Sequence, residues 1–195
     1  MPEATERGRL VIVSGPSGVG KGTVIREVMT QSAQPLVMSV SATTRSPRPG
    51  EIDGVHYHFL SPELFEQYRR QGDFLECFEV FGNGTWYGTL RSEVENGLAR
   101  GDWIVLEIDV QGALQVMQQY PEAISFFIRL DSLQTLENRL RGRGTEDEQA
   151  VRDRMRRAEH ELEFAGKYKH QIINNELENA VREMCDILKC EADSN

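Results

Sequence analysis

Lys21 closes a glycine-rich stretch, Gly15-Pro16-Ser17-Gly18-Val19-Gly20-Lys21, that follows the apolar run Leu10-Val11-Ile12-Val13. Glycines let consecutive backbone N–H groups curl around a polyphosphate. A helix N-terminus adds partial positive charge, and a lysine contributes a mobile full charge. Gly22 and Thr23 complete the cradle. A Ser or Thr commonly follows the lysine directly; here Gly22 stands there, so Thr23 is the hydroxyl expected near a magnesium–phosphate cluster.

Four further groups carry chemistry. Arg45 and Arg48 lie three residues apart in Thr44-Arg45-Ser46-Pro47-Arg48-Pro49-Gly50, a spacing that suits two planar forks on one phosphate. Glu76 sits among apolar residues in Phe74-Leu75-Glu76-Cys77-Phe78, and strand alternation predicts that it shares a face with Phe74 and Phe78. A carboxylate in that company is partly exposed or hydrogen-bonded to a ligand. Asp109 ends the run Asp102 to Asp109, where a terminal carboxylate beside the phosphate loop can meet ligand or hydrated magnesium. Seven of the eighteen arginines fall between residues 139 and 157, around the glycines flanking Arg143. A salt-bridged surface helix is one reading of that run; the glycine hinges favour a mobile lid that brings arginines onto phosphate.

The elements that must position these groups alternate in type. Leu10–Val13 reads as a buried parallel strand, and Val24, Ile25, Val28 and Met29 give the following helix its apolar face. Strands are expected at 36–40, 56–59, 74–81, 102–109, 124–130 and 171–174. Helices are expected after Ser61-Pro62, from about 90 to 100, after Val110, after Ser132, from a Thr145/Glu148 capping box, and around Leu177 to Leu188. Hairpin-type strands within an otherwise βα pattern imply a small mixed β subdomain over about 38–90. The core then comprises 9–37, 91–138 and 158–190, the lid 139–157, and residues 1–8 a tail. His56 and His58 alternate along the 56–59 strand, but no third ligand is evident, so they read as structural or surface histidines.

A chain of 195 residues suits one α/β domain, and no apolar run reaches membrane-spanning length. The N-terminal MPEATERGR lacks a signal core. Cys77, Cys185 and Cys190 have no metal-ligand spacing and are odd in number, which points to free thiols in a reducing cytoplasm. A net charge of −9 disfavours nucleic acid. Only Lys21, Lys167, Lys169 and Lys189 are lysines, and this arginine-heavy cation set suits small phosphorylated ligands.

In order, the segments SGPSGVGKGT, SVSATTRSPRPGE with HYHF, FLECFEVFGNGTWYGT, EIDVQG, RLRGRGTE and IINN resemble the guanylate kinase family, over nearly the whole chain from Arg9 to Lys189. The resemblance implies a P-loop NTPase-type parallel sheet flanked by helices, with a nucleoside-monophosphate-binding subdomain and a helical lid. It implies that Arg45, Arg48, Tyr57 and Tyr87 hold the acceptor phosphate, and that Glu76 reads the guanine N1–H and amino edge with Ser41 and Thr89. Asp109 would lie at the guanine amino side near the metal. Lys21 and the backbone from Gly15 to Thr23 would cradle ATP, Arg139, Arg143 and Arg154 would close from the lid, and Asn174 would lie near the adenosine. Nucleoside monophosphate kinases often carry GKGT, whereas Glu107 departs from the Asp often found at its position.

The activity so implied is Mg²⁺-assisted transfer from ATP to GMP, and to dGMP, giving ADP and GDP in purine nucleotide metabolism. The catalytic set would be Lys21, Arg45, Asp109, Arg143 and Arg154. Thr23 would be the side chain at the metal. No nucleic acid, membrane or obligate protein partner is implied. Two rivals share the fold: an interaction module that binds phosphorylated proteins, and a phosphate-loop kinase for another small acceptor. Lys21, Asp109 and RGRGTE disfavour the first, and Glu76 with Ser41 disfavours the second.

Overall fold

The computed structural model describes residues 8–80 (Val80 in its backbone alone), 84–142 and 148–194. Short apolar runs alternating with amphipathic segments give, in chain order, β1 (Leu10–Ser14), α1 (Lys21–Gln31), β2 (Leu36–Met38), β3 (Ala42–Thr43), β4 (His58–Phe59) and α2 (Pro62–Gln71). There follow β5 (Phe74–Val80), β6 (Thr85–Leu90), α3 (Arg91–Ala99), β7 (Trp103–Glu107) and α4 (Val110–Gln119). The chain ends with β8 (Ile124–Arg129), α5 (Leu133–Gly142), α6 (Glu148–Leu162), β9 (His170–Ile173) and α7 (Leu177–Asp193).

One sheet is parallel throughout, in the order β2-β7-β1-β8-β9. Parallel strands joined by helical crossovers are covered on both faces, which is why β1 is buried at every residue. Period-two alternation divides it between two cores. Val11 and Val13 pack with Val24, Val28, Leu136, Val151 and Met184, under α1, α5, α6 and α7. Leu10 and Ile12 pack with Val94, Leu98, Ala113 and Val116, under α3 and α4. β1 lies at the centre, so the loop leaving its carboxyl end opens into the crevice where doubly wound sheets bind ligands.

The second sheet runs β4-β3-β6-β5 and is mixed: β3 pairs parallel with β4 and antiparallel with β6. Leu75 of β5 belongs to the main core beside Val94 and Leu106, and Gln119 Nε2 of α4 donates to Leu75 O at 2.8 Å. That strand therefore hangs from the main core at its first turn. α2 obeys its end signals. Ser61 Oγ accepts from Leu64 N at 3.2 Å, Pro62 follows, and Gly72 takes a left-handed conformation at the far end.

Several expected boundaries change. The 36–40 strand stops at Met38, and the 56–59 strand shrinks to His58–Phe59 because Ile52 to Tyr57 form a turn in which Ile52 N donates to His56 Nδ1 at 3.0 Å. His58 instead faces Glu93, with Nε2 at 3.3 Å from its carboxylate, so the two histidines do not share a strand face. The 102–109 strand ends at Glu107. Asp109 is the N-cap of α4, its Oδ1 accepting from Gly112 N at 2.7 Å. Thr145 of the expected capping box lies outside the described residues.

Candidate active site

The loop between β1 and α1 is held from beneath by neighbouring backbone. Gly15 sits at φ +136°, and a Cβ there would lie 2.0 Å from Ile128 O, so only glycine fits. Asn174, buried at the end of β9, donates from Nδ2 to Val19 O at 2.7 Å. Arg139 of α5 donates to Asn174 O at 2.8 Å and to Asn175 O at 3.1 Å, and reaches Val19 O at 3.4 Å. Both residues thus engage the loop from its outer side. Lys21 folds back, its Nζ donating to Gly15 O at 2.6 Å and Pro16 O at 3.2 Å. Burial pushes its ammonium below the usual lysine range, and the carboxylates of Glu107, Glu161 and Asp109 oppose that shift. Thr23 is exposed on the first turn of α1.

Below the loop lies a cleft of about 420 Å³, bounded by Lys21, Ser41, Tyr57, Glu76, Tyr87 and Asp109 among others. It runs from the phosphate loop to the mixed sheet. At one end Glu76, 3% exposed, accepts from Thr89 Oγ1 at 2.6 Å, while its Oε2 is buried with no hydrogen-bond partner among the described residues. Desolvation raises its pKa to about 7, against the bond from Thr89 and with help from Asp109. Burial also raises Asp109, countered by backbone N–H donors of α4. The expected company of Glu76 is half right. Phe78 lines the cleft with it, but the β5–β6 register slips between Phe74 and Glu76, and this bulge returns Phe74 to the core of the mixed sheet beside Cys77.

Arg45 stands at the mixed-sheet side. Its Nε donates to Tyr87 Oη at 3.1 Å, its fork grips Glu51 at 2.6 and 2.7 Å, and its carbon lies 4.9 Å from the centre of the Tyr57 ring. Arg45, Tyr57 and Tyr87 are therefore one cluster. Arg48 joins it through its backbone N–H, which donates to Glu51 Oε2 at 2.7 Å, and its side chain is exposed.

The arginines of the expected lid divide. Arg141 pairs with Glu137 and Glu148, Arg152 lies 4.0 Å from Glu148, and Arg156 pairs with Asp153 at 3.3 Å. Arg154 instead reaches the phosphate loop, Nη1 to Ser17 Oγ at 3.4 Å, and with Asp109 and Glu161 borders a second opening of about 740 Å³ beside the first. Arg143 lies outside the described residues.

Sequence reasoning passed over Glu51, Glu161 and Gly112. Glu51 closes the segment SPRPGE, and its place three residues after Arg48 was the available signal. Glu161 lies in a charged helix with nothing to single it out. A Cβ on Gly112 would lie 2.8 Å from Glu76 Oε2, a relation that no spacing in the chain announces.

The chain is similar to known proteins over most of its length. A family profile described as guanylate kinase matches residues 7–191. The guanylate kinase of Rhodopirellula baltica is 49% identical over 187 residues, covering 95% of this chain and 90% of the relative. That of Nostoc sp. is 46% identical over 175 residues, covering 90% and 86%. The crystal structure of guanylate kinase from Anaplasma phagocytophilum aligns with a TM-score of 0.76 at 30% identity, over 96% of this chain and 87% of that one. A gluconokinase from Sinorhizobium meliloti aligns at 0.53 with 16% identity, a likeness of fold alone. Both sheets and the phosphate loop have the arrangement expected from the resemblance, and the chain belongs to the guanylate kinase family.

Proposed function

We propose that the chain transfers the terminal phosphoryl group of ATP to GMP, with the acceptor seated in the 420 Å³ cleft and ATP on the β1–α1 loop. The observation that carries the acceptor reading is Glu76: a buried carboxylate with one unpartnered oxygen, lining a cleft that begins at a lysine-tipped phosphate loop. Guanine presents two adjacent donors, N1–H and the amino group, which one carboxylate accepts together. Adenine presents an acceptor at N1 and is repelled. Missing such paired contacts costs several orders of magnitude in discrimination.

Ser41 and Thr89 complete the base end, with Asp109 at the amino side. Arg45, Arg48, Tyr57 and Tyr87 hold the acceptor phosphate at the other end. On the donor side Lys21 would leave the loop carbonyls for ATP phosphate, with the N–H groups from Gly15 to Thr23 around it. Arg154 and Arg143 serve the transferring group from a lid over 139–157. Arg139 and Asn174 support the ATP side by holding Val19 in place. Direct transfer between two aligned substrates needs positioning and charge neutralisation, and no covalent enzyme intermediate. dGMP fits the same reading, since every contact named is to base or phosphate.

Magnesium favours oxygen ligands and takes one or two protein groups together with phosphates and water. The exposed Thr23 hydroxyl and the Glu107 carboxylate, 3.4 Å from where a Gly22 Cβ would stand, fit that donor set. When bound, Mg²⁺ would neutralise charge on the ATP phosphates. No helix among the described residues is long and apolar enough to cross a membrane. The three free cysteines accord with a cytoplasmic setting, and the net charge of −9 with small nucleotide partners rather than nucleic acid.

The test is coupled ADP production from ATP and Mg²⁺ with GMP, AMP, CMP and UMP side by side, for wild type and Glu76→Gln. Turnover with GMP alone, sharply reduced in the variant, is the expected result. Equal turnover with several acceptors, or a variant indistinguishable from wild type, would overturn the base reading.

A further inference from the structure

Glu51 holds more of Arg45 than any other group does. The Glu51 carboxylate takes Nη1 and Nη2 of Arg45 together, and it also accepts the backbone N–H of Arg48. Its own N–H donates to Arg48 O at 3.0 Å, which closes the turn from Arg48 to Glu51. Arg45 has five N–H donors. Tyr87 takes Nε–H, Glu51 takes one from each terminal nitrogen, and Ser46 O takes the second from Nη1 at 3.0 Å. Among the described residues, one donor on Nη2 is left. The Arg48 guanidinium, by contrast, has no hydrogen-bond partner among the described residues.

We propose that Glu51 is a positioning residue for the acceptor phosphate: it locks Arg45 against Tyr57 and Tyr87, so that the remaining Nη2–H and the free Arg48 fork meet the phosphate without further ordering. The alternative is a placeholder that occupies the fork until phosphate displaces it. Displacement would break the bidentate pair and also the Arg48 N–H bond that shapes the turn, and it would do so at each substrate encounter. Retention costs none of these bonds, and preorganised donors lose less entropy on binding. Arg45 and the Arg48 N–H hold the Glu51 carboxyl well below its ordinary range, at about 2, so the clamp is ionised wherever the enzyme would be assayed.

The inference rests on the reading that this cleft seats GMP. The experiment compares wild type, Glu51→Gln, Glu51→Asp and Arg45→Gln by KM for GMP, KM for ATP and the inhibition constant of guanosine, which lacks the phosphate. Loss of charge-assisted bonds predicts a rise in the KM for GMP of about 10- to 100-fold in Glu51→Gln. The guanosine constant and the KM for ATP stay as in wild type, and Glu51→Asp recovers part of the loss. A lower KM for GMP in Glu51→Gln would show a placeholder. A parallel rise for guanosine would show a general structural role, and no change would show a bystander; each overturns the proposal. An unchanged KM for GMP in Arg45→Gln would instead remove the reading of the cleft itself.

Discussion

Gly112, in the first turn of α4, and Glu76, in β5, approach so closely that a Cβ on Gly112 would lie 2.8 Å from Glu76 Oε2 and 3.3 Å from Asp109 Oδ1. The absent side chain is the space into which the carboxylate fits. Gly112→Ala therefore pushes Glu76 away from the helix, even though alanine is the better helix former. The expected outcome is a KM for GMP raised about tenfold or more, with the KM for ATP little changed, since a small misplacement of a recognition group is costly. Steady-state kinetics with each substrate varied in turn checks it; equal losses for both substrates would mean that α4 as a whole had moved.

Glu76 also makes two pH predictions, both from its pKa of about 7. On the proposed reading, paired guanine donors need the ionised carboxylate, so below that value GMP must bind against protonation. The KM for GMP is expected to be about tenfold higher near pH 6 than near pH 8, and Glu76→Gln flattens the dependence. Stability moves the other way. The folded protein holds this proton more tightly than the unfolded chain, whose carboxyl titrates near 4.5. Stability therefore falls as pH rises from 4.5 to 7. Thermal unfolding across that range should show a loss in wild type that Glu76→Gln lacks. A variant that loses as much would place the titration elsewhere.

The parallel sheet, the phosphate loop and the helix faces were legible because each rests on local signals: apolar runs, positive-φ glycines and 3.6-residue spacing. The site was legible where a motif stayed in one segment, as with Arg45 and Arg48. It was not where two segments had to meet. A bulge between Phe74 and Glu76 cannot be seen in alternation, because it depends on how β6 pairs with β5. Asp109 read as the end of a strand, yet the turn after Glu107 made it a helix cap. Gly112 matters through a partner 36 residues away, which composition cannot supply.

Asn174→Ala is expected to loosen the phosphate loop. The substitution removes the shorter of two donors to Val19 O and leaves that buried carbonyl under-satisfied, at a cost of about 1–3 kcal/mol. For a chain of this size that corresponds to a melting point lower by about 2–12 °C. Arg139 still reaches Val19 O at 3.4 Å, so the loop keeps one weaker tie. The KM for ATP should rise with the KM for GMP unchanged. A full loss of stability without a change in ATP binding would separate the fold of β9 from the loop.

Glu107 is the acid that most supports the charge of Lys21. Burial works against the Lys21 ammonium, and Glu107 is the strongest of the three acids that support it. Glu107 in turn is raised by burial and lowered by Lys21, so each favours the ionised form of the other. With Glu107→Gln the lysine loses that support, and its pKa moves further down from an already lowered value. As pH rises, Lys21 then gives up its proton earlier, and the loop loses the full charge that ATP phosphates need. The alkaline limb of kcat/KM for ATP, which reports the free enzyme, should shift to lower pH in the variant. Its plateau also falls if Glu107 holds magnesium, but the position of the limb is independent of that height. A limb that stays where the wild type has it would mean that Glu161 and Asp109 suffice to keep Lys21 charged.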